Sequence, residues 1–328
     1  MRHIDAATVH AKLDFETLIS ALNTGFEEGA TVPVRHRHDL GTVAAEEAAN
    51  QANAEANDGA SLLLMPAWRQ GGPTGVKIVT VYPTNRARAL PAVNATFLLL
   101  DGKTGHPLAI IDGPALTERR TAAASALASR YLSRPFSKIL LMVGAGAIAP
   151  HLIRAHASVR PIERIEIWNR TPERAVALAE TMRSEGLNAR ATNDLEVSAR
   201  AADIISCATL STEPIILGAW LSPGCHLDLV GAFRPDMREC DDVAVVRAAV
   251  YVDVRESALI EAGDIAGPLA RGVISKSHIL GDLFDLARGV VTGRGDDDTI
   301  TMFKSVGTAL EDLAAAESLW AKLGELER

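Results

Sequence analysis

Apolar residues recur at Val9, Leu13, Leu18, Ile19, Leu22 and Phe26, close to helical spacing, and predict a helix over residues 1 to about 30. The segment TVPVRHRH after it has the character of extended chain. Residues 40–59 (LGTVAAEEAANQANAEANDG) are rich in Ala, Asn and Glu and poor in large apolar side chains, which predicts a mobile loop or a short surface helix. Strand-like runs follow at 61–65, 75–82, 92–100 and 107–112, and DGKTGH joins the last two as a hairpin. No helical stretch separates these runs, so they form a mostly antiparallel module. A helix is expected from about Leu116 through RRTAAASALASRYL, stopping before Pro135.

From there strands and helices alternate. Strands are expected near 139–143, 165–168, 203–207, 227–231 and 250–253, with a crossover helix at 172–185. The Ala/Leu-rich stretch 300–326 is expected to be helical, and no internal repeat is visible.

The first alternating unit carries the most chemistry. The apolar run ILLMV enters VGAGAIA, with Gly144, Gly146 and Ala149 at the three small positions and Ala147 and Ile148 between the last two. Strand, tight turn and helix N-terminus together form a dinucleotide-binding unit. Gly144 permits the turn, Gly146 admits the pyrophosphate to the backbone, and Ala149 lets helix and strand pack closely. The phosphates then meet free N–H groups at the positive end of the helix. Pro150 falls in the first helical turn, where its missing N–H costs little. The alternative is a glycine turn that only packs a doubly wound sheet.

The second strand ends in Asn169-Arg170-Thr171, where an NAD site usually has a carboxylate for the ribose 2′-hydroxyl. A guanidinium and two short polar side chains suit a 2′-phosphate instead. NADPH is therefore the expected cofactor, with NADH a weaker second.

A length of 328 residues suggests about two domains. The chain is 48% hydrophobic but only 4% aromatic, so its cores are built from Ala, Val, Leu and Ile. A net charge of −8 argues against nucleic acid or an anionic membrane as partner. No run reaches the ~18 apolar residues of a membrane span, and the N-terminus has no apolar signal core. A cytoplasmic protein is expected. Cys207, Cys225 and Cys240 have no metal-type spacing and are an odd number, so neither a metal site nor a disulfide framework is expected.

Several motifs together resemble the ornithine cyclodeaminase/μ-crystallin family. They are PVR at 33–35, MPAW at 65–68, GVKIVTVYP at 75–83, LPAVNATFLLLDGKTGHPLAIIDG at 90–113 and LTERRTAAASALASRYL at 116–132. VGAGAIA, WNRTPERA, TEPIILGAWLSPGCHLDLVGAFRPDMRE at 212–239 and FKSVGTALEDLAAA at 303–316 continue the series. The resemblance runs in order along nearly the whole chain, with 40–59 the main exception.

The resemblance implies an α/β protein in which a Rossmann domain (residues 117–299) is inserted in a discontinuous α+β substrate-binding and dimerisation domain (1–116 and 300–328). It implies a homodimer joined through the sheets of the first domain, and an active site in the cleft between domains. Arg35, Lys77 and Arg120 match the family's substrate positions. Ala208 and Thr209 after DIISCAT, and Ser305 and Gly307 in FKSVG, match positions beside the cofactor.

A guanidinium can grip a substrate carboxylate through paired hydrogen bonds. Arg120 is expected to head its helix, where the backbone also favours an anion. Lys77, with a lowered pKa inside an apolar strand, would donate or relay a proton to an imine nitrogen. Against this, a charged residue within a strand most often lies on a solvated face, and Arg119 competes with Arg120 for the carboxylate.

The family's cyclodeaminases carry an Asp where this chain has Phe233, an aromatic residue that cannot accept a proton. GAxRPDxRE instead resembles the ketimine reductases, with Arg234 and Asp236 bracing their loop. The expected reaction is NADPH-dependent reduction of a cyclic imino acid: Δ1-pyrroline-2-carboxylate to L-proline, Δ1-piperideine-2-carboxylate to L-pipecolate, or both. Three alternatives stay open. One is an ornithine cyclodeaminase with Glu213 or Asp228 replacing the missing acid. The others are an alanine-type amino-acid dehydrogenase and a non-enzymatic NADPH-binding scaffold.

Overall fold

The computed structural model describes residues 1–41 and 59–325. Most of the 40–59 segment lies outside the described residues. The chain divides into two compact units: Met1–Asp14, Gly29–Thr117 and Ala309–Arg328 form the first, Phe15–Glu28 and Glu118–Thr308 the second.

The first unit is built on a six-stranded sheet. Its strands are β1 (Arg2–Ile4), β2 (His36–Gly41), β3 (Ala60–Trp68), β4 (Thr74–Val81), β5 (Val93–Leu100) and β6 (Pro107–Asp112), in the order β1-β6-β5-β4-β3-β2. All neighbours are antiparallel except β1 and β6. The expected hairpin joins β5 to β6. Asp101 Oδ1 accepts from the backbone N–H of Lys103 and Thr104 and from the Thr104 hydroxyl, and Gly105 takes φ +71° to close the turn.

Period-2 alternation puts Gly75, Lys77 and Val79 of β4 on the buried face and leaves Ile78 exposed. Helices α1 (Ala6–Lys12) and α11 (Ala309–Glu325) pack on this unit's sheet, burying Val9, Leu310, Leu313 and Leu319. Gly75 is needed there, because a Cβ would collide with the Phe97 ring on β5.

The second unit holds an eight-stranded, all-parallel sheet. Its strands are β7 (Ile139–Val143), β8 (Arg164–Trp168), β9 (Ala189–Ala191), β10 (Ile204–Cys207), β11 (His226–Leu229), β12 (Ala249–Val252), β13 (Ile279–Asp282) and β14 (Thr301–Lys304). They lie in the order β13-β12-β14-β11-β10-β7-β8-β9. A parallel sheet is buried on both faces, so its strands read as unbroken apolar runs rather than alternations. Leu141, Val143, Ile205, Leu227, Leu229, Val250, Val252 and Met302 make the centre of that core. Its helices include α2 (Phe15–Glu28), α3 (Gly113–Leu132, which starts in the first unit), α4 (Ala149–Val159), α5 (Pro172–Ser184), α6 (Leu195–Ala201), α7 (Asp242–Arg247), α8 (Arg255–Glu261), α9 (Gly263–Ala270) and α10 (Leu283–Ala287).

Several expectations are corrected here. The single N-terminal helix is two, broken at Leu13 and Asp14, and α2 packs within the second unit. Residues 301–304 are not helical. They form β14, which inserts between β11 and β12. Four residues buried on both faces have no period to distinguish strand from helix. Residues 15–28 and 300–308 pack with the second unit.

Candidate active site

In the second unit the glycine turn leaves β7 with Gly144 at φ +106°, a conformation that L side chains rarely adopt. Its amide donates to the Trp168 carbonyl on β8 at 2.8 Å. A Cβ on Gly144 would lie 2.6 Å from the Ala208 carbonyl oxygen, so the loop after β10 closes tightly over the turn. Gly146 is exposed and faces open space, with nothing within 4 Å of a Cβ placed there. Ala147 is exposed and Ile148 half-buried. Helix α4 opens with buried Ala149 and has no side-chain cap at its N-terminus. An open glycine, an uncapped helix start and a close-packed Ala are what a pyrophosphate cradle requires.

At the end of β8, Asn169 is committed to the fold. Its Oδ1 accepts from the Ala145 N–H at 3.1 Å, and its Nδ2 donates to the Thr171 carbonyl at 2.9 Å. It fastens the glycine turn to the β8 end. Arg170 and Thr171 are exposed, and the Thr171 hydroxyl does not cap α5 although the residue holds the N-cap position. Both side chains are open to solvent at the end of β8.

The loop after β14 is held by Asp253. Its Oδ2 accepts from Ser305 Oγ at 3.1 Å, Val306 N at 2.7 Å and Gly307 N at 2.6 Å. Gly307 has φ +81°, and a Cβ there would stand 2.7 Å from Arg120 Nη1. The buried Arg120 thus faces the FKSVG loop. Arg119, also buried, instead lays its guanidinium on the Phe15 ring, 3.9 Å from the centroid. Neighbouring helical residues point about 100° apart, which sends the two guanidinium groups to different surroundings. Arg120 does not head its helix, because α3 begins at Gly113. It sits about two turns in, beyond the reach of the N-terminal partial charge.

Arg35 and Lys77 belong to the first unit. Arg35 is half-buried in the residue before β2. Lys77 is not on a solvated face: its side chain is 4% exposed, and its Nζ lies 2.6 Å from Oδ2 of the fully buried Asp312 on α11. Burial disfavours the ammonium, whereas a carboxylate in contact favours it. Asp312 was missed in the sequence reading, although it stands in the quoted FKSVGTALED stretch.

The two acids considered for a cyclodeaminase are poorly placed. Glu213 is an exposed loop residue. Asp228 is fully buried on β11 and accepts from Ser125 Oγ at 2.9 Å and Ser206 Oγ at 2.7 Å, with His156 Nε2 at 3.1 Å. Burial would raise its pKa, but the hydrogen bonds and charge of His156, with Ser206 and His226, outweigh burial and lower it. Phe233 is 46% exposed, and Arg234 pairs with Asp236 at 2.8 Å within the same loop, bracing it. Cys207, Cys225 and Cys240 are buried thiols.

The sequence model of the ornithine cyclodeaminase/mu-crystallin family matches residues 10–325. The chain belongs to that family. It is similar to the Δ1-pyrroline-2-carboxylate reductase of Paracoccus denitrificans, 44% identical over 257 residues, 78% of this chain and 81% of that one. It is also similar to Protein SAR DEFICIENT 4 of Arabidopsis thaliana, 41% identical over 325 residues, 96% of this chain and 95% of the relative. Among solved structures of this fold, Thermococcus litoralis Δ1-pyrroline-2-carboxylate reductase in complex with NADH and L-proline superposes with a TM-score of 0.89. It is 32% identical, with 100% of this chain and 98% of that chain covered. The family's α/β fold, with a Rossmann-like parallel sheet and a mixed six-stranded sheet, is thus present. Among the described residues no helix is long and apolar enough to cross a membrane.

Proposed function

We propose that this chain is an NADPH-dependent reductase of cyclic imino acids, converting Δ1-pyrroline-2-carboxylate to L-proline, Δ1-piperideine-2-carboxylate to L-pipecolate, or both. The observation that carries the proposal is the buried Lys77–Asp312 pair. A buried ammonium paired with a carboxylate is a suitable proton donor to an imine nitrogen. The relatives named as Δ1-pyrroline-2-carboxylate reductases support the same chemistry.

When bound, the reduced nicotinamide supplies the hydride that adds to the C=N carbon. Gly144, Gly146, Ala147 and Ile148 would hold the pyrophosphate, and Ala208, Thr209, Ser305 and Gly307 would flank the cofactor. Arg35 and Arg120 would hold the substrate carboxylate with paired hydrogen bonds, and Lys77 would protonate the nitrogen. Arg170 and Thr171 favour the 2′-phosphate of NADPH, with Asn169 contributing by fixing the loop. NADH is a weaker second donor, and NADH is the cofactor in the Thermococcus litoralis structure.

A homodimer through the first unit's sheet is part of the proposal. Exposed Val34, Leu40, Ile78, Leu90 and Val93 all fall on that unit, on or beside its strands. Of the two acids weighed for the cyclodeaminase alternative, Glu213 is an exposed loop residue and Asp228 is engaged by Ser125, Ser206 and His156.

Loss of reduced-nicotinamide absorbance with freshly prepared Δ1-pyrroline-2-carboxylate, and in parallel with Δ1-piperideine-2-carboxylate, tests the proposal. Oxidation of NADPH by either imine is expected. Ammonia release from ornithine with NAD, and no turnover of either imine, would overturn it.

A further inference from the structure

Glu239 is a fully buried carboxylate in the loop that follows β11. Its backbone is anchored on both sides. The N–H donates to Asp264 Oδ1 at 2.8 Å, and the carbonyl accepts from Ile215 and Ile216 at 3.0 and 2.9 Å. The side chain is thereby held at a fixed point between the ends of two parallel strands.

Its two oxygens divide their work. Oε1 accepts from Thr209 N at 2.7 Å and Thr209 Oγ1 at 2.9 Å, in the loop leaving β10. Oε2 accepts from Gly231 N at 2.8 Å and Ala232 N at 3.3 Å, in the loop leaving β11. Glycine is required at 231, because a Cβ would strike the Thr209 backbone and stand 2.6 Å from Glu239 Oε1. Lys304, at the end of β14, brings its Nζ to 3.8 Å from Glu239 Oε2 and 3.3 Å from Asp264 Oδ2, all three being fully buried. The carboxyl ends of parallel strands are where this architecture binds its ligand. Thr209 and Ala208 in turn close over Gly144.

We propose that Glu239 is a positioning residue for the cofactor: its single carboxylate clips the β10 and β11 loops into one rigid cradle, with Lys304 as its counter-charge. The inference rests on the cofactor site described above. It assigns to the final glutamate of GAFRPDMRE, and to the lysine of FKSVG, a joint task at that site.

The clip depends on ionisation, because only the carboxylate can accept four hydrogen bonds. The charged and titratable groups facing it are Lys304 from β14, Asp264, and the buried thiol Cys207. Burial pushes the Glu239 pKa up to about 7; Asp264 adds to the rise, while Lys304 and the Thr209 hydrogen bonds oppose it. The protonated fraction therefore grows as pH falls through neutrality, and the clip loosens.

The test is equilibrium binding of NADPH and of NADH by calorimetry, on the full chain. The proteins are wild type, Glu239→Gln, and Glu239→Gln combined with Lys304→Met, which removes the stranded ammonium. The folded variants are expected to bind both cofactors about tenfold more weakly, the scale of one lost charge-assisted hydrogen bond. The KM for imine at saturating cofactor should be nearly unchanged. Wild-type NADH binding, free of any 2′-phosphate titration, is expected to weaken as pH falls through neutrality, and the folded variants should lose that dependence. A variant that folds and binds with wild-type affinity and wild-type pH profile would overturn the inference. Should neither variant fold, a flat wild-type NADH profile across neutrality would overturn it equally. Failure of the wild-type protein to bind either cofactor at any pH would overturn the cofactor site, and this inference with it.

Discussion

Gly307 and Arg120 are in van der Waals register: a Cβ on the glycine would lie 2.7 Å from Arg120 Nη1. The loop is held there from below by Asp253, which takes both the Val306 and Gly307 amides. The absence of a side chain at 307 is therefore what lets the guanidinium occupy its place.

Gly307→Ala should act on that relationship. The left-handed φ of +81° costs an alanine about 1–2 kcal/mol, and the methyl group displaces the guanidinium. A lower Tm and a raised KM for the imino acid are expected, with a smaller change in the KM for NADPH. Steady-state kinetics with each substrate varied in turn checks this. An unchanged imine KM would remove Arg120 from carboxylate binding.

Lys77→Met removes the proposed proton donor and leaves Asp312 buried without its ammonium. The kcat should fall about 10²- to 10⁴-fold, the usual worth of a positioned acid. Asp312→Asn keeps the shape of the pair but removes its charge, and kcat should fall less. Single-turnover hydride transfer followed against pH separates the two. Retention of wild-type rates by Lys77→Met would exclude it as the donor.

Arg170→Ala tests the cofactor preference. Loss of one charge-assisted contact to a 2′-phosphate should raise the NADPH KM by about tenfold and leave the NADH KM nearly unchanged. Equal effects on both cofactors would refute the role given to Arg170.

His226 supplies a pH prediction. It is fully buried on β11 beside Thr301 Oγ1, and burial lowers its pKa to about 3, more than Asp228 beside it can offset. The unfolded chain binds a proton near pH 6.5, whereas the folded chain refuses it until about pH 3. Stability therefore falls with acid between those two values, by up to about 1.4 kcal/mol per pH unit from this group. Urea unfolding at a series of pH values should show that slope, and His226→Gln should flatten it. An identical slope in the variant would mean that other groups govern acid sensitivity.

The chain's own order of residues determined a good deal. The β7–turn–α4 unit is encoded by an apolar run, a glycine at the one position that needs positive φ, and a small residue where helix meets strand. All of these are local requirements within a dozen residues. The antiparallel module was equally plain, because alternation along β4 and a turn-forming Asp101 and Gly105 need no distant partner to be read.

What the tertiary structure alone decided concerns residues far apart in the chain. Alternation implied that Lys77 shares a face with Gly75 and Val79, but only the packing of α11 on that face showed it buried against Asp312. Strand β14 was invisible because four residues paired on both sides carry no period; its backbone finds its partners in β11 and β12, which are separate stretches of chain. Arg119 and Arg120 have the same chemistry at adjacent positions, and only the Phe15 ring and Gly307 tell them apart. Glu239 and Asp253 stand in loops with no local signal of their own. Their function as clips exists only where the sheet brings separate strand ends within hydrogen-bond reach, since a hydrogen bond depends on distance in space and not on separation in sequence.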